Sequence, residues 1–201
     1  MKKTKSGRLT DYEIWHSFKK GEEWAISFIY SRYAEKLYGY GLKFTSDVCL
    51  IEDALQDLFT DLIKNRKTIG NTDNILFFLL KSFKRKLLRK IQTEKKIIHD
   101  EMEEYPFDVT WSIEHEMIME EISKQKADML LKALNELTPR QKEAIYLRFT
   151  KELDYKKVAG LMDISVEACR NLISKAVLTL RKWVSDKNQN PSVFFMLFLP
   201  S

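Results

Sequence analysis

The chain has 201 residues, room for one or two compact domains, and its 44% apolar and 31% charged residues are the balance of an ordinary globular protein. Six glycines and four prolines argue against a turn-rich β fold and predict an all-α protein, and a net charge of +5 favours a polyanionic partner. Cys49 and Cys169 form no C-x-x-C pair, and His16, His99 and His115 stand apart from them, so neither a zinc site nor a disulfide scaffold is expected, and no cofactor.

The basic start MKKTKSGRLT is followed by no apolar signal region, which places the protein in the cytosol. Thr10, with Glu13 three residues on, has the form of a capping box and opens a first helix. Gly21 separates it from a second, in which Trp24, Phe28, Tyr30, Tyr33, Leu37 and Tyr40 recur at near-helical spacing and read as core. A third, SDVCLIEDALQDLFTDLIKNRK, is amphipathic: Ile51, Leu55, Leu58, Phe59 and Leu62 make the apolar stripe, and Asp53, Asp57 and Asp61 line the opposite side. Beyond a loop from Asn65 to Asp73, the segment NILFFLLKSFKRKLLRKIQTEKK has Leu76, Leu79, Leu80, Phe83 and Leu87 as its apolar stripe. Lys81, Arg85 and Arg89 are four apart, so they share one face, expected to be exposed and extended by Lys84, Lys90, Lys95 and Lys96.

From 98 to 127 the composition turns acidic and Pro106 interrupts any helix, which predicts a linker with a helical second half. Thr138, Pro139 and Gln141 then supply an N-cap, a first-turn proline and a second capping box. The stretch YKKVAGLMDISVEACRNLISKAVLTL breaks near Asp163, Ile164 and Ser165 into two short helices. Ala159 is the small residue that a steep helix crossing needs, and Val158, Met162, Ile164, Cys169 and Leu172 fill the wedge. Ser165 can cap the second helix, and Asp163 tolerates the left-handed turn where glycine is commoner. Glu167, Arg170, Asn171, Ser174 and Lys175 point outward, side-chain types that reach base edges and phosphates in a major groove. The apolar end, Val193 to Leu199, is far shorter than the ~20 residues of a membrane span. It reads as a surface that docks onto protein.

With these motifs in place the chain resembles, from Leu9 to Trp183, the extracytoplasmic-function sigma factors of bacterial RNA polymerase, and most of all those of Bacteroidetes. LTPRQKEAIYLRF with the helix-turn-helix after it is similar to the family's fourth region, which binds the minus-thirty-five element. IEDALQDLF is similar to the polymerase-binding helix of the second region, with Asp53, Gln56, Asp57 and Phe59 on its motif positions. The resemblance implies a region 2 bundle over 9–97, the acidic linker 98–127, a region 4 domain over 128–185 and a tail, 186–201, of no assigned role.

It implies further that Asp53, Asp57 and Asp61 face the basic clamp helices of the largest polymerase subunit, where complementary charge orients assembly. Lys81, Lys84, Arg85 and Arg89 would hold phosphates of the minus-ten element. Phe77, Phe78 or the loop before them would support an unstacked base, or the two rings belong to the core. Many relatives carry asparagine about where Arg85 stands and tryptophan near Phe78. The linker would thread the basic channels of the polymerase. Core polymerase, promoter DNA and an anti-sigma protein are the partners implied, and catalysis is not expected. The competing reading is a stand-alone helix-turn-helix regulator with an N-terminal sensor or dimerisation domain.

Overall fold

The computed structural model describes residues 9–94, 105–108 and 132–186, with side chains as far as Trp183. The described residues are all helix, turn and loop. The chain divides into two compact units, Met1–Ile98 and His99–Ser201.

In the first unit, α1 (Asp11–Lys20) opens on the expected capping box, the Thr10 amide donating to Glu13 Oε2 at 2.8 Å and the Glu13 amide to Thr10 Oγ1 at 3.3 Å. It stops at Gly21, whose φ of 88° is a left-handed conformation that glycine adopts without strain. Helix α2 (Glu23–Gly41) follows, then α3 (Val48–Lys64) with Asp47 accepting from the Leu50 amide at 3.0 Å. The last helix, α4 (Ile75–Glu94), receives two caps. Asn74 Oδ1 accepts from the Phe77 amide at 2.8 Å, and Asp11 of α1 accepts from the Ile75 amide, also at 2.8 Å. Ile29, Leu37, Tyr40, Ile51, Leu79, Leu80, Phe83 and Leu87 are buried at the centre of this bundle.

Two sequence expectations need correction here. The aromatic stripe of α2 is only half core: Tyr33, Leu37 and Tyr40 are buried, but Trp24, Phe28 and Tyr30 are 45%, 39% and 57% exposed. The buried line runs through Ala25, Ile29, Tyr33, Leu37 and Tyr40, and each of the three exposed rings stands one position off it, rotated by about 100°. On α4, Ile75 is buried while Leu76 lies at the margin.

Neighbouring helices press on α2 at Gly41, where an added Cβ would stand 2.9 Å from Ile51 Cγ2 and 3.1 Å from Phe83 Cζ. Both neighbours are fully buried, so neither has space to retreat. Gly41→Ala is expected to destabilise the unit by about 1–2 kcal/mol, overpacking outweighing the helix-propensity gain. Thermal melting checks it, and an unchanged midpoint would contradict this packing.

The second unit begins, after a helical turn at 132–135, with α5 (Pro139–Ile145). Its capping box has the Gln141 amide donating to Thr138 Oγ1 at 3.3 Å and the Thr138 amide to Gln141 Oε1 at 3.0 Å. The helix widens into a π turn over Tyr146–Thr150, and α6 (Tyr155–Met162) starts at Asp154, which accepts from the Lys157 amide at 2.9 Å. That bond lowers the carboxyl pKa of Asp154. Asp163 closes α6 in the left-handed region, φ 51° and ψ 45°, as expected. Ser165 Oγ then accepts from the Ala168 amide at 3.0 Å, and α7 runs over Val166–Asp186, longer than the short helix expected.

The linker expectation changes at one place. Tyr105–Asp108 is packed into the second unit, with Tyr105 and Phe107 buried, so these four residues are no free tether. The rest of the linker, Lys95 and Lys96, and the apolar tail lie outside the described residues.

Candidate nucleic-acid and partner interfaces

The wedge of the second unit closes as its residue types demand. Val158, Ala159, Met162 and Cys169 are buried, joined by Ile173, Ala176 and Leu180 from further along α7, while Ile164 and Leu172 sit at the margin. Burial raises the pKa of the Cys169 thiol, which keeps it protonated as a small apolar filler. With one side of α7 consumed by packing, the other is left to solvent. Ser165, Glu167, Arg170, Asn171, Ser174 and Lys175 are all exposed, and the i, i+4 relation sets Arg170 and Ser174 on one line, Asn171 and Lys175 on the next.

Beside this face lies a stack that sequence reading missed. The Tyr155 ring has the Arg148 guanidinium 5.2 Å from its centroid and the Arg170 guanidinium 5.8 Å away. Arg148 also donates to the Leu153 carbonyl at 3.2 Å. Only the tertiary fold brings positions 148, 155 and 170 together; their spacing along the chain carries no signal.

In the first unit the acidic face is as expected for Asp53, Gln56, Asp57 and Asp61, all exposed on α3. Two of the carboxylates are already engaged. Lys86 Nζ of α4 lies 2.5 Å from Asp61 Oδ2, and Lys90 Nζ lies 2.9 Å from Asp57 Oδ2. The hydrogen bond from Lys86, then its charge, lowers the pKa of Asp61, and the hydrogen bond that Lys90 donates to Asp57 raises that of Lys90. All four groups keep substantial contact with water, so these pairs are screened and exchangeable. Phe59 is buried on the inner side of α3, its ring 4.9 Å from that of Tyr30. It serves the apolar stripe rather than an outer contact.

On α4 the basic face divides. Arg85 and Arg89 are exposed and Lys81 is partly so, but Lys84 is only 7% exposed, which corrects the expectation that it extends the outer face. It follows the buried Phe83, and its ammonium lies 5.9 Å from the centre of the Phe44 ring. Phe77 and Phe78 are half-buried, and the Phe78 ring lies 4.9 Å from that of Trp15, tilted by 58°. The loop before α4 is held from α1, Trp15 Nε1 donating to the Gly70 carbonyl at 2.9 Å and Lys19 Nζ to Asn71 Oδ1 at 3.0 Å.

Among the described residues no group of three His, Cys, Asp or Glu side chains could hold a metal ion, and no helix is long and apolar enough to cross a membrane.

No curated protein matches the chain. Among solved structures it is similar to CnrH, seen in complex with the cytosolic domain of CnrY, at 14% identity over 88% of this chain and 97% of that one, with a TM-score of 0.56. A lower TM-score of 0.49, at 16% identity over 83% and 98% of the two chains, relates it to the sigma factor RpoE in complex with the anti-sigma factor NepR from Bartonella quintana. At these identities the likeness to CnrH is one of fold. The family description "Sigma-70, region 4" matches residues 127–180, which contain α5, α6 and α7 as far as Leu180. That match covers about a quarter of the chain.

Proposed function

We propose that this chain is an RNA polymerase sigma factor of the extracytoplasmic-function class, which directs core polymerase to promoters and assists melting, with no catalytic step of its own. The observation that carries the reading is the exposed polar face of α7 on a helix-turn-helix that lies within the Sigma-70 region 4 segment. In this role Ser165, Glu167, Arg170, Asn171, Ser174 and Lys175 contact the upstream promoter box, with the Tyr155 ring beside Arg170. Lys81, Arg85 and Arg89 hold phosphates of the downstream element, and Phe77 with the loop from Asn65 to Asp73 supports an unstacked base. Asp53, Gln56, Asp57 and Asp61 meet the clamp helices of the polymerase. Such a protein works in the cytoplasm, and the fold it shares with CnrH, a protein solved with a partner's cytosolic domain, supports an anti-sigma protein as a further partner.

In vitro transcription of genomic fragments by core polymerase, with and without the protein, tests the reading. New, discrete start sites are expected. Their absence, together with failure to co-elute with core polymerase in gel filtration, would return the chain to a stand-alone regulator.

A narrower outcome is expected at α7. Arg170→Ala with Lys175→Ala should weaken binding of an upstream-box duplex and lower its salt dependence, by up to about 0.9 of a log-log unit for each phosphate no longer neutralised. Binding titrations at several salt concentrations measure it; an unchanged affinity and slope would remove that face from the interface.

A further inference from the structure

Arg170 stands exposed on α7, where a long side chain samples many rotamers and must give them up on contact with a ligand. Its guanidinium carbon lies 5.8 Å from the centroid of the Tyr155 ring, within the range at which a ring face attracts a cation. A ring steadies a neighbour only if it is steady itself. Tyr155 is half-buried and is the first residue of α6, directly after the Asp154 cap. The Arg148 guanidinium lies 5.2 Å from the same ring centroid. Arg148 is fixed in turn: its Nη1 donates to the Leu153 carbonyl at 3.2 Å, the Leu153 amide donates to the Leu147 carbonyl at 3.1 Å, and the Leu153 side chain is buried.

This support is costly to build. Arg148 Nε is buried without a hydrogen-bond partner among the described residues, an expense offset by contact with two rings, since the same guanidinium lies 5.7 Å from the centre of Phe149. Arg148 belongs to the π turn, and between it and α6 the chain reverses at Glu152, which holds a left-handed φ of 54° that is unfavourable for a residue with a side chain. A π turn, a strained residue and an orphaned donor within five positions are tolerated where local geometry serves a site.

We propose that Tyr155 is a positioning residue for Arg170: its ring, set by α6 and Arg148, holds the guanidinium at the outer face of α7 before DNA arrives. The proposal rests on the reading that this face meets the upstream box. Arg170 then loses less rotamer freedom on docking, and a guanidinium held in place favours paired donation to one acceptor group. The π face is what acts, so phenylalanine serves as well as tyrosine and an aliphatic residue does not. A cation–π contact at an exposed site corresponds to about two- to fivefold in affinity.

Nitrogen relaxation NMR of the Arg170 Nε–H group in the full chain tests the positioning directly. The group should be ordered in the wild type and in Tyr155→Phe, and mobile on the nanosecond scale in Tyr155→Leu. The backbone amides of α7 should keep their order in all three. Equal mobility of Arg170 with tyrosine and leucine would overturn the proposal, and so would a loss of order along the whole of α7, which would make Tyr155 a packing residue. In complex with core polymerase, Tyr155→Leu should weaken binding of an upstream-box duplex about two- to fivefold and Tyr155→Phe should leave it unchanged. With Arg170→Ala already in place, Tyr155→Leu should cost nothing further. A penalty that survives the loss of Arg170 would show the ring acting elsewhere and sink the positioning. A wild-type chain that binds no duplex and yields no start sites refutes the sigma-factor reading, while the Arg170 relaxation still decides what Tyr155 does.

Discussion

A chain carrying Asp53→Lys and Asp57→Lys is expected, on the proposed function, to lose core polymerase by at least about 100-fold in affinity, because two attractive contacts would become repulsive at an oriented charged interface. Gel filtration with core polymerase measures the loss, and circular dichroism checks that the bundle persists. Asp57 also pairs with Lys90, so the single substitution sets two cations against each other within the unit. The swap Asp57→Lys with Lys90→Asp restores an internal pair of opposite sign and leaves position 57 positive. It should fold as the wild type does and, combined with Asp53→Lys, still fail to bind polymerase. Normal co-elution of that variant would remove this face of α3 from the interface.

Trp15→Ala is expected to have the largest effect on the fold, about 3–5 kcal/mol, since the indole is 1% exposed, stacks on Phe18, packs at a tilt against Phe78, and donates to the Gly70 carbonyl. That is a large share of a stability typically of about 5–15 kcal/mol, so the first unit should melt far lower or not assemble. Trp15→Phe keeps most of the ring and removes the donor. Its cost should be nearer ~1–2 kcal/mol, with faster amide exchange concentrated in the loop between α3 and α4. A loop whose exchange is no faster in that variant would show that Gly70 is held by something else. On the proposed function the same variant should melt promoter DNA less well while still binding polymerase, because Trp15 holds the loop through Gly70 whereas Asp57 and Asp61 of α3 pair with lysines of α4.

Local rules were legible where they are closed by near neighbours. Thr10 with Glu13 and Thr138 with Gln141 cap as their spacing requires, Asp163 takes the left-handed turn, and Cys169 faces inward while Arg170 and Lys175 face out. Pattern reading went wrong where the width of the buried stripe mattered. Helical spacing places Trp24 near Ala25 and Lys84 near Phe83, but only the neighbouring helix decides that the tryptophan emerges and the lysine is covered. It was blind to pairs made across elements: Asp61 with Lys86, Tyr155 with Arg148 and Arg170, Tyr105 on Glu143. The last is the sharpest case. Acidic, proline-interrupted composition argues for a tether, and nothing in it marks two aromatic residues as anchored to a helix more than thirty positions away.

The carboxylate of Asp11 receives the Ile75 amide across 64 positions of sequence. During synthesis the acceptor therefore leaves the ribosome well before the donor, and the leading turn of the cationic rod completes against a preformed end of α1. Trimming the chain through residue 11 would take the Thr10 capping box from α1 and, far downstream, the counterpart of a backbone amide, so a shortened product would be injured both at the cut and at the opening of α4.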